Sequence, residues 1–572
     1  MNHSADIKKI QRQFLPADFK ITDWTSLEPW FVDLEQRTLN TVNDLEKWLA
    51  DMSELEAIVS EDACWRQVRM TCDTENKELE EAFNYFYLEI QPKIQPYADK
   101  LNRKLMDCPM IAQLDQQKFF TYLRGVRKNI ELFREENIPL QAEMSVLQQQ
   151  YGSIAGKMTI EQDGKEFTLQ QASKFLENPD RNIREQVYLK INERRLLDKA
   201  ALHDLFGKLV SLRHQIAVNA GFNNYRDYKF AEMGRFDYKP EDCFQFHQAV
   251  EEHVVPLVDK IYAKHAKKLG ISPLRPWDTE AEPAGVEPLR PFTNGKDLLD
   301  KTVACFESLD PFFAGCLQKM EELGHLDLDS RKGKAPGGYN MPLMESGAPF
   351  IFMNAASQMS DVTTMVHEGG HAVHSFLAHE QELSAFKEYP TEMAEVASMA
   401  MELFSMDHWE PFFDHENDLK RAKRHQLERV ITIFPWIATI DAFQHWVYEN
   451  PTHTDEERTA AWMRIIKRFS IASLDTSGLE KYREISWQRQ LHLFEVPFYY
   501  IEYGIAQLGA IGMWKQYREN PANALKNYTD ALALGGTRTL PELYAAAGLP
   551  FDFSPATIKS LMEMVEKELD QL

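Results

Sequence analysis

Hydrophobic residues recur along this chain mostly at spacings of three and four: Leu45, Leu49, Met52, Leu55 and Ile58, then Leu205, Leu209, Leu212 and Ile216, and the stripe from Phe244 to Ile261. That period puts apolar side chains on one helix face, so the pattern predicts a mainly α protein built by packing amphipathic helices. No fixed-period repeat or low-complexity tract interrupts it. From Met158 to Leu169 the period changes. Met158 and Ile160 alternate with polar residues, Asp163-Gly164 supplies a turn, and Phe167 and Leu169 return, which predicts one β-hairpin. Five prolines between Pro273 and Gly295 prevent a continuous helix there, and Trp277 and Phe292 favour a loop that packs down over a flexible linker. A second loop is expected from Gly333 to Gly347, then a short strand at Pro349–Met353, then a helix capped by Ser360 or Asp361. This order predicts a peptide-binding strand edge beside that helix.

The helix carries His367-Glu368-Gly369-Gly370-His371. Two imidazoles four residues apart project from one helix face toward a single metal ion. Zinc accepts neutral imidazole and carboxylate donors, and a catalytic site uses three protein ligands so that water takes the fourth place. Glu368 then lies beside that water. A metzincin would need Gly three and His six residues after the second histidine; His374 and Leu377 stand there instead. The third donor is therefore sought among Glu388, Glu392, Glu395 and Glu402, of which Glu388 precedes Pro390 and falls outside the next helix. The other three share one face. Glu395 is flanked by Ala394, Val396, Ala397 and Ser398, and Gly369, Gly370 and Ala372 offer matching small positions. Each glycine inside a helix costs about 1 kcal/mol relative to alanine, so the pair points to close packing or substrate access. Glu395 is the predicted ligand. Glu402 is left either to orient a ligating imidazole or to face solvent, and His374 and His379, off the required spacing, are read as structural.

Composition narrows the partners. The 572 residues suit two or three packed lobes, and a net charge of −24 repels a phosphate backbone, which excludes nucleic acid. Residues 1–13 lack the apolar stretch of a secretory leader. The most apolar segment, Ile431 to Phe443, is broken by Pro435 and Asp441 and is too short for about 30 Å of hydrocarbon, so no membrane association is expected. The six cysteines form no CxxC pair; they are read as reduced, buried thiols of a cytoplasmic protein, not as a catalytic nucleophile.

Three blocks together resemble the thimet oligopeptidase and oligoendopeptidase F family of zinc metallopeptidases: the Asp361–Phe376 helix with its HEGGH, Ala394-Glu395-Val396-Ala397-Ser398, and the C-terminal segment His492–Tyr503. Softer similarity to the oligoendopeptidase F branch runs from Asn178-Pro179-Asp180-Arg181 through Tyr225-Arg226-Asp227-Tyr228 to the end. The resemblance implies an elongated, two-lobed helical body with a deep substrate channel, one zinc ion per chain on its floor, and a small β element beside the zinc-binding helix. It implies an N-terminal lobe, residues 1–190, that restricts entry, and a catalytic region, residues 191–572. Substrates would be short unstructured peptides. It also assigns a C-terminal histidine and tyrosines to substrate and oxyanion binding. These fall on His492 and Tyr500 as catalytic groups and on Tyr499 and Tyr503 as substrate-binding groups; the His492-to-tyrosine spacing is one residue shorter than in the thimet branch. Tyr499, Tyr500 and Tyr503 form a phenol cluster, and Gly504, Gly509 and Gly512 after them lower helix stability and permit a hinge.

The combined expectation is an endopeptidase with His367, His371 and Glu395 on zinc and Glu368 as the base that activates zinc-bound water. Tyr500 or Tyr503 would share the developing oxyanion, with His492 assisting. A zinc carboxypeptidase or dipeptidyl carboxypeptidase of related helical fold is the alternative within enzymes. A helical peptide-binding scaffold with a vestigial metal site is the alternative outside them. The sequence leaves oligomeric state open.

Overall fold

A computed structural model describes Ala5 and residues 12–331, 333–335 and 337–572. Met1–Ser4 and residues 6–11, which contain most of the stretch read as lacking a leader, lie outside the described residues. Among the described residues the fold is mainly helical, with two small sheets. Helix Val42–Cys72 buries Leu45, Leu49, Met52, Leu55 and Ile58, and helix Lys199–Asn219 buries Leu205, Leu209, Leu212 and Ile216, the faces that the period predicts. The stripe from Phe244 onward is divided. Helices Pro240–Ala249 and Val255–Leu269 are joined by a π-helical turn, Val250–Val254, because Pro256 has no N–H to continue the ladder.

The hairpin forms from β1 (Thr159–Gln162) and β2 (Lys165–Thr168), paired antiparallel. Asp163 and Gly164 both take positive φ, 52° and 73°, as the two-residue turn matched to strand twist demands. In the proline-rich stretch Trp277 and Phe292 are buried, so that loop does pack down.

A three-stranded sheet consists of β3 (Leu326–Asp329), β4 (Tyr339–Met341) and β5 (Phe350–Ala355) in the order β3-β5-β4. It corrects two expectations. The strand read at Pro349–Met353 exists as β5, but it is central, parallel to β3 and antiparallel to β4, and so offers no edge. The edges are β3 and β4, and β4 lies inside the stretch expected to be loop; its three residues show no readable alternation, and pairing with β5 makes them a strand. The following helix begins at Met359, with Gln358 at its N-cap. Asp361 is not the cap but sits one turn in, its Oδ2 accepting the backbone N–H of Gln358 at 2.9 Å and of Ala356 at 2.8 Å.

Two compact units each draw on three stretches of chain. One comprises Met1–Glu131, Leu289–Lys423 and Ala506–Phe551 and contains β3–β5 and the HEGGH helix; the other comprises Leu132–Pro288, Arg424–Ile505 and Asp552–Leu572 and contains the hairpin. Among the described residues no helix is long and apolar enough to cross a membrane.

Candidate active site

In the first unit, the histidine helix Met359–Ala378 packs on the glutamate helix Thr391–Met406. The two glycines explain how closely. A Cβ on Gly370 would lie 2.7 Å from the Ala397 carbonyl oxygen and from Ser398 Cα, and one on Gly369 would lie 2.7 Å from the Phe306 ring. Backbone on the glutamate helix cannot yield to such an atom, so close packing is the reason for the pair.

That approach brings His367, His371 and Glu395 together, with one donor atom from each within 4.8 Å of the others. Glu395 Oε2 stands 3.4 Å from His367 Nε2 and 3.9 Å from His371 Nε2, and the two rings are nearly perpendicular at 85°. Donors held about 2.0–2.1 Å from a tetrahedral zinc ion are separated by roughly 3.3 Å, so this nitrogen, nitrogen, oxygen set fits such an ion. Burial pushes His371 down to about 4, whereas at His367 burial is outweighed by the carboxylates of Glu395 and Glu402, which hold the imidazole well above its ordinary value. Glu388 and Glu392 stand outside this group of three.

The surrounding groups hold the donors in place. Glu402 Oε1 lies 2.7 Å from His367 Nδ1, so the carboxylate fixes the ring with Nε2 turned to the cluster. Of the two roles open to Glu402, the contact selects orientation of the imidazole over exposure to solvent. Ser398, noticed in the sequence only for its size, donates its hydroxyl to Glu395 Oε2 at 3.3 Å. Its legible signal was Glu-x-x-Ser, one helical turn. Glu368 is nearly buried, and burial pushes it up to about 7; neighbouring His367 opposes the rise while Glu395 and Glu402 add to it. Asn340 on β4 donates to the Glu368 carbonyl at 3.1 Å, tying the edge strand to the histidine helix. His374 is buried with its ring stacked on Tyr389 at 3.5 Å, which is a packing role. All six cysteines are free and four are buried.

In the second unit, His492 is ringed by phenols: its ring centroid lies 5.9 Å from Tyr499, 5.0 Å from Tyr500 and 5.9 Å from Tyr503. Trp436 donates its indole N–H to Gln490 Oε1 at 2.9 Å, which turns the Gln490 amide nitrogen toward His492 Nδ1, 2.7 Å away. His492 Nδ1 therefore accepts, and the proton resides on Nε2, which becomes the donor end of the ring. The turn into the tyrosine helix is fixed at Phe498, a non-glycine residue at φ 66°. Gln444 accepts its N–H, and Arg235 donates to its carbonyl oxygen and to Glu502 Oε1 at 2.7 Å. These buried contacts hold a left-handed residue that costs about 1–2 kcal/mol. Gln444, Gln490 and Arg235 carry no sequence motif that would have marked them.

The glycines after the tyrosines sit against close neighbours. A Cβ on Gly504 would lie 2.6 Å from the Phe246 ring, and one on Gly509 would lie 2.8 Å from Val396 Cγ2. Helix Tyr500–Glu519 runs through both positions, and the missing side chains admit neighbours.

A mainly helical protein in which two histidines of an HExxH helix and a glutamate of a second helix converge beside a buried glutamate is a metallopeptidase. The chain belongs to peptidase family M3: the family's peptidase domain matches residues 174–563, and its N-terminal domain matches residues 14–133. It is 21% identical to an oligoendopeptidase F homologue of Borreliella burgdorferi over 94% of this chain and 91% of that protein. It is 23% identical to the oligopeptidase PepF of Bacillus subtilis over 72% of this chain and 61% of that one. The solved structure of Pz peptidase A with an inhibitor superposes at a TM-score of 0.90 with 26% identity, covering 97% of this chain and 98% of that one. The resemblance read from the three sequence blocks therefore holds.

Proposed function

We propose that the protein is a cytoplasmic, zinc-dependent oligoendopeptidase that hydrolyses internal bonds of short, unstructured peptides. The observation that carries this reading is the convergence of His367 Nε2, His371 Nε2 and Glu395 Oε2 beside the raised Glu368 carboxyl. The names of the oligoendopeptidase F and PepF relatives support the substrate class. Bound at those three donors, zinc would supply Lewis acidity toward water and the scissile carbonyl.

The chain's own groups do the rest. Glu368 takes the proton of the attacking water and passes it to the leaving amine. Glu402 and Ser398 keep His367 and Glu395 aimed. The open side of β4, Tyr339–Met341, aligns the substrate main chain as an added strand. Tyr500 and His492 donate to the carbonyl oxygen as charge develops there, while Tyr499 and Tyr503 grip the peptide. Residues 191–572 carry the catalytic machinery in this reading, and residues 1–190 restrict which peptides reach it.

The test is cleavage of an internally quenched peptide blocked at both termini, with a chelator arm and zinc add-back. Internal cutting abolished by chelation and restored by zinc is expected. Release of dipeptides only, and only from peptides with a free carboxyl end, would replace the endopeptidase with a dipeptidyl carboxypeptidase.

A further inference from the structure

The second unit contains a polar cluster that peptide hydrolysis leaves unused. Helix Pro240–Ala249 presents Cys243 and His247, four residues apart, and helix Phe434–Glu449 presents Asp441 and His445 at the same spacing. Each pair lies on one helix face, and the two helices pack together. All four residues are 2% exposed or less.

Their geometry is not that of a closed hydrogen-bond network. His247 Nε2 bonds Asp441 Oδ2 at 2.8 Å, and His445 Nε2 approaches the same oxygen at 3.3 Å without the alignment of a hydrogen bond. Asp441 Oδ1 and both ring nitrogens of His445 are buried with no hydrogen-bond partner. Buried polar atoms are almost always partnered, so three adjacent exceptions point to a group supplied from outside the chain. Donor atoms of Cys243, Asp441 and His445 all lie within 4.8 Å of one another. Sulfur, imidazole nitrogen and carboxylate oxygen at that separation form a donor set of the kind zinc takes, whereas magnesium and calcium prefer oxygen alone.

We propose that Cys243, Asp441 and His445 bind a second, buried zinc ion, with His247 holding the Asp441 carboxylate in place as an outer partner. Binding replaces the thiol proton, so one proton leaves Cys243 for each ion taken up. The ion pins helix Pro240–Ala249 to helix Phe434–Glu449. The latter helix also holds the turn at Phe498, through Gln444 and through the His445 ring 5.3 Å from the Phe498 ring. The second ion thus braces the base of the tyrosine segment while taking no part in the reaction.

Metal content and cobalt spectroscopy provide the test, because the peptidase site contains no sulfur donor, so a thiolate-to-cobalt charge-transfer band that Cys243→Ala removes reports the second site. Protein from zinc-supplemented culture should contain two equivalents of zinc, and His371→Ala should retain one. Protein from cobalt-supplemented culture should show the near-ultraviolet thiolate band, which His371→Ala keeps and Cys243→Ala loses. One equivalent in the wild type that His371→Ala abolishes, with no thiolate band, overturns the proposal. The wild type and His371→Ala are sufficient to overturn it even if Cys243→Ala does not fold.

Discussion

Glu402 Oε1 and His367 Nδ1 meet at 2.7 Å across two packed helices, so the carboxylate that orients this imidazole comes from the same helix as Glu395, two turns further on. One rigid helix therefore sets both the third donor and the orienter of the first. Glu402→Ala should weaken zinc affinity about 10- to 100-fold with the fold intact, the usual cost of removing such a partner. Titration with a competing chelator measures it, and unchanged affinity would return Glu402 to a packing role.

Glu395→Ala should lose zinc far more completely than Glu402→Ala, since it removes a donor. Glu392→Ala should leave the metal content near one equivalent at the peptidase site, because Glu392 is outside the converging group. Metal analysis after gel filtration distinguishes them; the opposite ranking would move the ligand to Glu392.

Glu368→Gln should keep its zinc yet slow turnover about 10²- to 10⁴-fold, the range for removing a general base. Full turnover in that variant, assayed on the blocked peptide, would eliminate Glu368 as the proton carrier.

Gly370→Ala places a methyl group 2.7 Å from backbone atoms of Ala397 and Ser398. The helices must separate, costing about 1–3 kcal/mol of stability and displacing Glu395 from the histidines. A lower urea midpoint together with weaker zinc retention is the expected pair of results. A stable, fully loaded variant would contradict the packing argument.

Asp327 on β3 gives a pH signature. Burial raises its pKa, but hydrogen bonds from Arg331, Lys334 and Cys72 outweigh this and hold it at about 2. A depressed carboxyl stabilises the fold above its unfolded value near 3.8, and that contribution is lost as pH falls from there through about 2. With solvent screening it is on the order of 1 kcal/mol. Comparing urea midpoints at pH 5 and pH 3 for the wild type and Asp327→Asn checks it: the variant should lose less stability on acidification.

The helical class, the hairpin at 158–169 and the choice of His367, His371 and Glu395 as one cluster were legible in the bare chain, because each is written in short-range periodicity; the family was legible through the resemblance of three motif blocks. His367 and His371 are one helical turn apart, and Glu395 and Glu402 are two turns apart on a face lined with small residues. That β4 forms one edge of the sheet was not legible, since it exists through pairing with β5 and not through its own three residues. Packing alone showed that Gly504 and Gly509 admit neighbouring side chains, and that Trp436 and Gln490 set the proton on His492. Packing also gathered Cys243 and Asp441, nearly two hundred residues apart, into one buried cluster. Contacts between distant segments leave no period in a single chain; they arise from how closely two surfaces approach, and that distance is fixed only when the helices are packed.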